Sequence, residues 1–413
     1  MLKSVLKQFN AKKSEIEIWL ESKRQHYSPI VYASCDIRNS GYKVTTVDTN
    51  IFPAGWNNLC PSYQKKASAL FKEYFTINHA KCVLIVIEEH TRNLFYFSNI
   101  WNLKKILTEA GLKVFVGSPN PEIVEKTFFK TADDENLEVY PIKRLNDEIY
   151  IEDNKVCTIL FNNDFSDGIP KILQGVKQKA MPNPELGWFK RRKSEHFRVF
   201  NNLADEFAAE IGIDAWHLKT MFSVLEDIDI NNDKDRERMA TEADRILKLI
   251  EDEYKLRSIK SEPVIFIKND AGTYGMGVIS VKSGDELRNL NRKNRNKLTT
   301  GKENVPITNF ILQEGVPTTD TVKGFTAEPV MYSVGSKSAG GFFRINTEKG
   351  DNENLNSTGM QFVKLCFEEV LGYKNMHFAD EGENCKLEYL DLIYTVVGEL
   401  AALAASEEQF NLK

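Results

Sequence analysis

Apolar and polar positions follow two different rhythms along this chain. Residues 82–87 (Cys-Val-Leu-Ile-Val-Ile) form an unbroken apolar run, as a strand covered on both faces requires. After Glu88, Glu89 and His90 the spacing lengthens: Phe97, Ile100, Leu103, Leu107 and Ala110 recur near a 3.6-residue period, and Gly111 ends the helix they predict. Residues 112–116 (Leu-Lys-Val-Phe-Val) read as a second strand, so 81–119 predicts a βαβ unit and a largely parallel sheet. A further apolar run at 156–161 stops at Asn162, Asn163 and Asp164. Polar residues beyond a strand end are where open α/β sheets place ligands.

Two prolines within 181–185 interrupt helix and sheet alike and mark a boundary there. The next helix is well signalled: Ser194 can cap it, Phe197, Phe200, Leu203 and Phe207 form its apolar stripe, and Gly212 stops it. Residues 227–260 are mostly charged and helical, with Met239, Ile246, Leu249 and Ile250 as a buried edge, and read as a peripheral insertion. From Glu262 strands take over, at 263–268 and 278–281 around a glycine-rich turn. A short helix near 285–298 follows, then strands at 310–313, 327–334 and 342–346, and an alanine-rich helix over 387–405. The expected organisation is an α/β domain over 1–180, with a largely parallel sheet, followed by an α+β region over 181–413 built on a glycine hairpin.

Composition narrows the function classes. Apolar residues are 42% and charged residues 27%, which excludes global disorder. A net charge of −5, from 54 basic and 59 acidic residues, gives no reason to expect nucleic acid or anionic lipid as a partner. The basic runs 190–193 and 292–297 read as solvated faces. No apolar stretch approaches the ~18 residues that span a bilayer and no leader pattern opens the chain, so a cytoplasmic location is expected. Six scattered cysteines form no C-x-x-C pair and are expected to be free thiols; six histidines without H-E-x-x-H leave little for a transition metal.

The sharpest local feature is residues 268–277 (Lys-Asn-Asp-Ala-Gly-Thr-Tyr-Gly-Met-Gly), set between two strands. It is neither a Walker A loop nor a Rossmann fingerprint. A hairpin that folds over a polyphosphate needs a pliant tip, free backbone N–H groups and a nearby cation. Gly272, Gly275, Gly277 and Lys268 supply these, with Thr273, Tyr274 and Met276 completing the loop. A plain hairpin turn would use the same glycines. At the N-terminus, Asp36, Arg38, Asp48, Asn50, Asn57 and Asn58 bring both charge signs and several amides together, as a zwitterionic amino acid requires. Arg38 could take the α-carboxylate and Asp36 or Asp48 the ammonium; local turn caps and an ordinary ion pair are the plainer reading.

The order of features from 190 to 359 resembles the ATP-grasp ligases: a basic segment ending in Lys193, the Lys268 strand and loop, a strand entering a polar turn at Gln313, Glu314 and Val316, then Glu328, Arg344 and Asn346. That resemblance implies that Lys193, Lys268 and the loop hold the phosphates of ATP and that Gln313 to Val316 receive adenine and ribose. It further implies that Arg344 serves the γ-phosphate and that Glu328 and Asn346 hold Mg2+. No clean late E-x-N element is present, and Glu348, Asp351, Glu353 or Asn354 could take the metal role instead. Arg344 and Asn346 are two apart and share a strand face. The loop 350–359 reads as a lid or a surface turn.

Longer strings bring a closer resemblance. Residues 32–44 (Tyr-Ala-Ser-Cys-Asp-Ile-Arg-Asn-Ser-Gly-Tyr-Lys-Val), 47–59, 188–197, 268–277 and 335–346 (Gly-Ser-Lys-Ser-Ala-Gly-Gly-Phe-Phe-Arg-Ile-Asn) resemble a less common family of bacterial glutamate-cysteine ligases with an ATP-grasp-like fold. The resemblance implies an enzyme that takes ATP, L-glutamate and L-cysteine to γ-glutamylcysteine, ADP and phosphate through a γ-glutamyl phosphate. Catalysis would rest on positioned positive charge, with Lys268 and Arg344 in the catalytic roles. Another carboxylate–amine ligase of the same superfamily, or a nucleotide-binding regulator without activity, stays open on the residues alone. Nothing in the sequence opposes a homo-oligomer.

Overall fold

The computed structural model describes residues 2–272, 277–299, 307–364 and 387–412. Its centre is an antiparallel sheet that draws on both ends of the chain. In order across the sheet run Met360–Val363, Lys337–Asn346, Phe325–Val334, Tyr32–Asn39 and Val44–Asn50, with Thr321–Val322 added beside Phe325–Val334. The pairing of Tyr32–Asn39 with Phe325–Val334 crosses the boundary expected near 181. Period-2 alternation explains the two faces. Gly398 of the C-terminal helix Leu387–Asn411 has no side chain to hold that helix off the sheet; a Cβ there would stand 3.1 Å from Met331 Cβ. Cys35, Ile37, Met331 and Ile345 thus line one core with Tyr394, Val397 and Ala401.

The opposite face carries Tyr32, Asp36, Arg38, Glu328, Tyr332, Phe342 and Arg344. Aromatic packing fills one end of it: Trp56 lies 5.0 Å from Tyr332 and Tyr332 lies 5.5 Å from Phe342, centroid to centroid. The charged residues occupy the other end.

The expected βαβ unit is present. Cys82–Val86 and Lys113–Ser118 are parallel neighbours, joined by the helix Leu94–Glu109, whose first turn is capped by Asn93. Thr158–Phe161, Lys179–Met181 and Asn136–Pro141 extend this parallel sheet, and Thr127–Lys130 closes one edge antiparallel. A small meander, Lys143–Leu145, Glu148–Ile151 and Asn154–Lys155, sits beside it.

A third, four-stranded antiparallel sheet runs Phe222–Leu225, Phe310–Glu314, Ile265–Asn269 and Ile279–Val281. The charged helix of 227–260, Asp233–Leu256, is not peripheral: Met239, Ala243, Ile246 and Ile250 are buried against Ile265, Ile267 and Leu312. Its charged face is solvated and its apolar stripe forms one side of this module's core. The helix expected near 285–298 is two short ones, Gly284–Arg288 and Arg292–Thr299. The basic run 190–193 is also corrected, since Arg191 and Lys193 are buried. Among the described cysteines Cys35, Cys82 and Cys157 are free, as expected, whereas Cys60 is disulfide-bonded.

Candidate active site

The charged end of the central sheet is built by register. Glu328 lies opposite Arg344, and Asp36 lies opposite both Val330 and Asp48. Arg344 Nη1 donates to Asp36 Oδ2 and Glu328 Oε1, each at 2.6 Å, and Nη2 donates to Asp36 Oδ1 at 3.3 Å. Arg38 directs its Nε to the second Glu328 oxygen. Two carboxylates and two guanidinium groups thus form a buried network that is internally neutral, the arrangement that offsets their desolvation. Burial pushes the Asp36 carboxyl up against the pull of Arg344. For Glu328 burial acts the same way, but Arg38 and Arg344 together outweigh it and hold the carboxyl low. Arg344 Nε remains buried without a hydrogen-bond acceptor.

Across a cleft stand two lysines. Lys268, on Ile265–Asn269, donates to Val47 O at 2.8 Å and to Gln313 Oε1 at 2.7 Å; Gln313 in turn donates to Thr220 Oγ1 at 3.0 Å. Lys193 opens the helix Lys193–Ile211, pairs with Asp48 and lies 4.5 Å over the Trp188 ring. Burial lowers the Lys268 ammonium to about 8, with Asp48 opposing the shift and Lys193 and Arg38 adding to it. The same cleft is lined by Phe266, Val278 and Val316, an apolar group that suits a flat ring, and by Gly272, Asn354 and Asn356.

The loop 350–359 reaches the cleft because two side chains hold it. Arg38 donates to the carbonyls of Asp351 and Glu353, both at 2.9 Å. Asn346 Nδ2 donates to Leu355 O at 3.1 Å and Thr358 O at 3.0 Å, and its Oδ1 accepts the Glu348 N–H at 2.9 Å. The fork of Arg38, expected to meet a substrate carboxylate, positions this loop instead.

Of the residues singled out in the sequence, the cleft brings together Asp36, Arg38, Asp48, Lys193, Lys268, Gln313, Glu314, Val316, Glu328 and Arg344. The Glu314 carboxylate is nevertheless committed elsewhere, to Lys43 at 2.6 Å and the Met221 N–H at 2.9 Å. Asn50, Asn57, Asn58, Gly277 and Asn346 do not line the cleft. Asn57 donates to Asn58 at 3.2 Å on the short turn Trp56–Asn58. That turn is tied down by Asn99, which accepts from Gly55 and Trp56 at 2.8 and 3.1 Å, and by Asn162, which donates to Pro53 O at 2.9 Å. The polar strand end at 162 therefore anchors a loop. Thr273, Tyr274, Gly275 and Met276 lie outside the described residues. Sequence reasoning gave no site role to Val47, Phe266 and Val278, or to Asn269 and Asn356, which lie inside the 268–277 motif and the 350–359 loop; only closeness to those segments could have flagged the two apolar residues beside the motif.

The donor set fits a polyanion: two ammonium groups and a guanidinium line the same cleft. It does not fit the magnesium ligands expected. Both Glu328 oxygens face guanidinium groups and Asn346 Oδ1 is hydrogen-bonded. Among the described residues no group of three or more His, Cys, Asp or Glu is arranged to hold a metal. Nor, among them, is any helix long and apolar enough to cross a membrane.

These features define a mixed α/β protein with a cation-lined cleft where two antiparallel sheets converge. The chain belongs to the glutamate-cysteine ligase family, whose model matches residues 6–409. Its activity is that of the family, ATP-dependent formation of γ-glutamylcysteine for glutathione synthesis. A solved structure from Methylobacillus flagellatus KT, provisionally assigned as a gamma-glutamylcysteine synthetase, is 36% identical with a TM-score of 0.90, over 100% of this chain and 97% of that one. D-alanyl-alanine synthetase A from Vibrio cholerae O1 biovar eltor str. N16961 aligns at 10% identity over 76% of this chain and 78% of that one. Its TM-score of 0.32 carries no structural argument. No curated protein sequence matches the chain.

Proposed function

We propose that the cleft is an ATP-grasp-like site in which the triphosphate lies between Lys193 and Lys268, its terminal phosphoryl directed to Arg344 and to the γ-carboxylate of L-glutamate. The observation that carries this reading is the convergence of Lys193, Lys268 and Arg344 on one cleft, from three elements distant in sequence. Phe266, Val278 and Val316 supply the surface for the purine.

A carboxylate attacking a polyanion meets charge repulsion, so the rate must come from fixed cations and from alignment. Lys193 and Lys268 neutralise phosphate oxygens. Arg344, held by Asp36 and Glu328 so that it cannot swing away, addresses the phosphoryl in flight. Asp48 is the least buried acid of the cluster and faces the cleft, which suits the ammonium of an amino acid. The γ-carboxylate oxygen bonds to phosphorus as ADP leaves; the neutral amine of L-cysteine then attacks the acyl carbon, and phosphate departs with that oxygen. Magnesium arrives with the nucleotide as the counterion of its phosphates. The cytoplasm is the location that fits these substrates.

The route is tested with L-glutamate carrying 18O in its γ-carboxylate. One labelled oxygen per turnover should appear in released phosphate, with γ-glutamylcysteine as product by mass spectrometry. Unlabelled phosphate, or equal ADP release with and without L-cysteine, overturns it.

A further inference from the structure

Two ammonium groups sharing one cleft repel each other, and the lowered pKa of Lys268 records part of that cost. Something must hold Lys193 and Lys268 together. The helix that presents Lys193 begins at Arg192 with no side-chain cap of its own, and Ser194, the cap expected from sequence, does not serve. The cap comes from Asp270. Its Oδ1 accepts the Ser194 N–H at 2.8 Å, its Oδ2 accepts the Ser194 hydroxyl at 2.7 Å, and its carbonyl accepts the Lys193 N–H at 2.8 Å. Its own N–H donates to Asn309 O at 3.0 Å, which ties it to the four-stranded sheet. Asp270 is buried and lies two residues after Lys268.

We infer that Asp270 is a positioning residue for the phosphates: one side chain and its own carbonyl clamp the first turn of the Lys193 helix to the strand end that carries Lys268, and so fix the gap between the two ammonium groups. This rests on the reading of the cleft as the triphosphate site. Two further contacts hold the helix start from the other side: Arg191 donates to Thr49 O at 2.8 Å, and Lys193 pairs with Asp48. Both run to the strand Val44–Asn50, which also accepts the Lys268 ammonium at Val47 O, so the link they make is indirect, through a third element. Asp270 alone among the contacts described joins the two cation-bearing elements directly at the cleft. An acid at a helix N-terminus also meets the positive end of the helix dipole, so the clamp is favourable in its own right. Asn269 reinforces the same bend, accepting the Ala271 N–H at 3.0 Å and donating to Ala271 O at 2.9 Å.

A purely structural cap and a phosphate-positioning clamp separate by ligand. Adenosine lacks the phosphates, so its affinity reports the purine surface and the integrity of the fold. ATP affinity also reports the spacing of the lysines. Binding of both is measured by calorimetric titration or competition on the full chain, without amino acids. Asp270→Ala is expected to weaken ATP about tenfold or more and leave adenosine within about twofold, with Asp270→Asn, which keeps one acceptor for the Ser194 N–H, in between. Asn232→Ala removes an ordinary cap, the Asn232 side chain that accepts the Lys234 N–H at 2.9 Å, and should lower Tm while leaving the ATP-to-adenosine ratio unchanged. If Asp270→Ala does not fold, Asp270→Asn and Ser194→Ala decide. An unchanged ratio in the folded variants overturns the inference. Lys268→Met keeps the two ideas apart: a loss of ATP affinity there with none in the Asp270 variants sinks only the clamp, and no loss in Lys268→Met sinks the site itself.

Discussion

At the scale of the residue, Lys268 carries the most testable chemistry. Its ammonium titrates at about 8, and only the protonated form attracts phosphate. Below that value the cation is present; above it the cation is lost. ATP affinity is therefore expected to fall as pH rises from 7.5 to 9.5. In Lys268→Arg, whose guanidinium stays charged throughout, the fall should be much smaller. Bound nucleotide will raise the Lys268 pKa, so the free-enzyme value appears in kcat/KM and a higher one in kcat. Identical profiles for the two proteins would contradict the phosphate role. Lys268, Arg344 and Asp36 were legible as polar residues in otherwise apolar or glycine-rich strings, whereas Lys193, inside a basic run, stood out only through the family resemblance. What was not legible was partnership. That Arg38 binds a loop carbonyl pair rather than a substrate follows from contacts more than 300 residues away in sequence, which no local pattern encodes.

At the scale of the element, Asp320 ties three segments together. It accepts from Asn39 Nδ2 at 3.1 Å and from the Tyr394 hydroxyl at 2.7 Å, joining Tyr32–Asn39 to the C-terminal helix. Burial raises its carboxyl to about 7, with both hydrogen bonds and Arg38 pulling the other way. A raised carboxyl favours the protonated fold, so its stabilising effect is complete below the unfolded value near 3.8 and is lost as pH rises through 7. The wild type should thus lose more Tm between pH 5.5 and 8 than Asp320→Asn, checked by thermal unfolding across that range. Gly340 sets a second element contact: at φ +96° a Cβ would sit 2.2 Å from the Tyr63 ring. Gly340→Ala should destabilise by about 2 kcal/mol or more, read from the urea midpoint, because both the backbone and the docking of Pro61–Ile77 are compromised. Elements with strong local signals matched expectation, among them Cys82–Val86, Leu94–Glu109 and the Gly212 helix stop. The cap of Lys193–Ile211 did not, because Asp270, a residue 76 positions beyond Ser194, satisfies that helix end.

At the scale of the whole molecule, the cleft proposed as the active site depends on a sheet assembled from the first 50 residues and residues 321–363. Antiparallel partners so far apart leave no periodic trace, which is why a sequence reading divides the chain near 180 while the sheet spans that point. The pairing has a consequence for the site. Asp36, Arg38 and Asp48 come from one end of the chain, Glu328 and Arg344 from the other, and Lys193 and Lys268 from the middle, so the cleft forms only when the complete fold does. Family membership across residues 6–409 agrees with a function distributed over the full length. In the proposed complex the triphosphate of ATP lies between the two lysines, opposite Arg344. The decisive measurement is a crystal structure with a non-hydrolysable ATP analogue and L-glutamate. Phosphate oxygens are expected within hydrogen-bond distance of both Lys193 Nζ and Lys268 Nζ, and the terminal phosphate against Arg344. Nucleotide bound elsewhere, with both lysines still on their present partners, would contradict it.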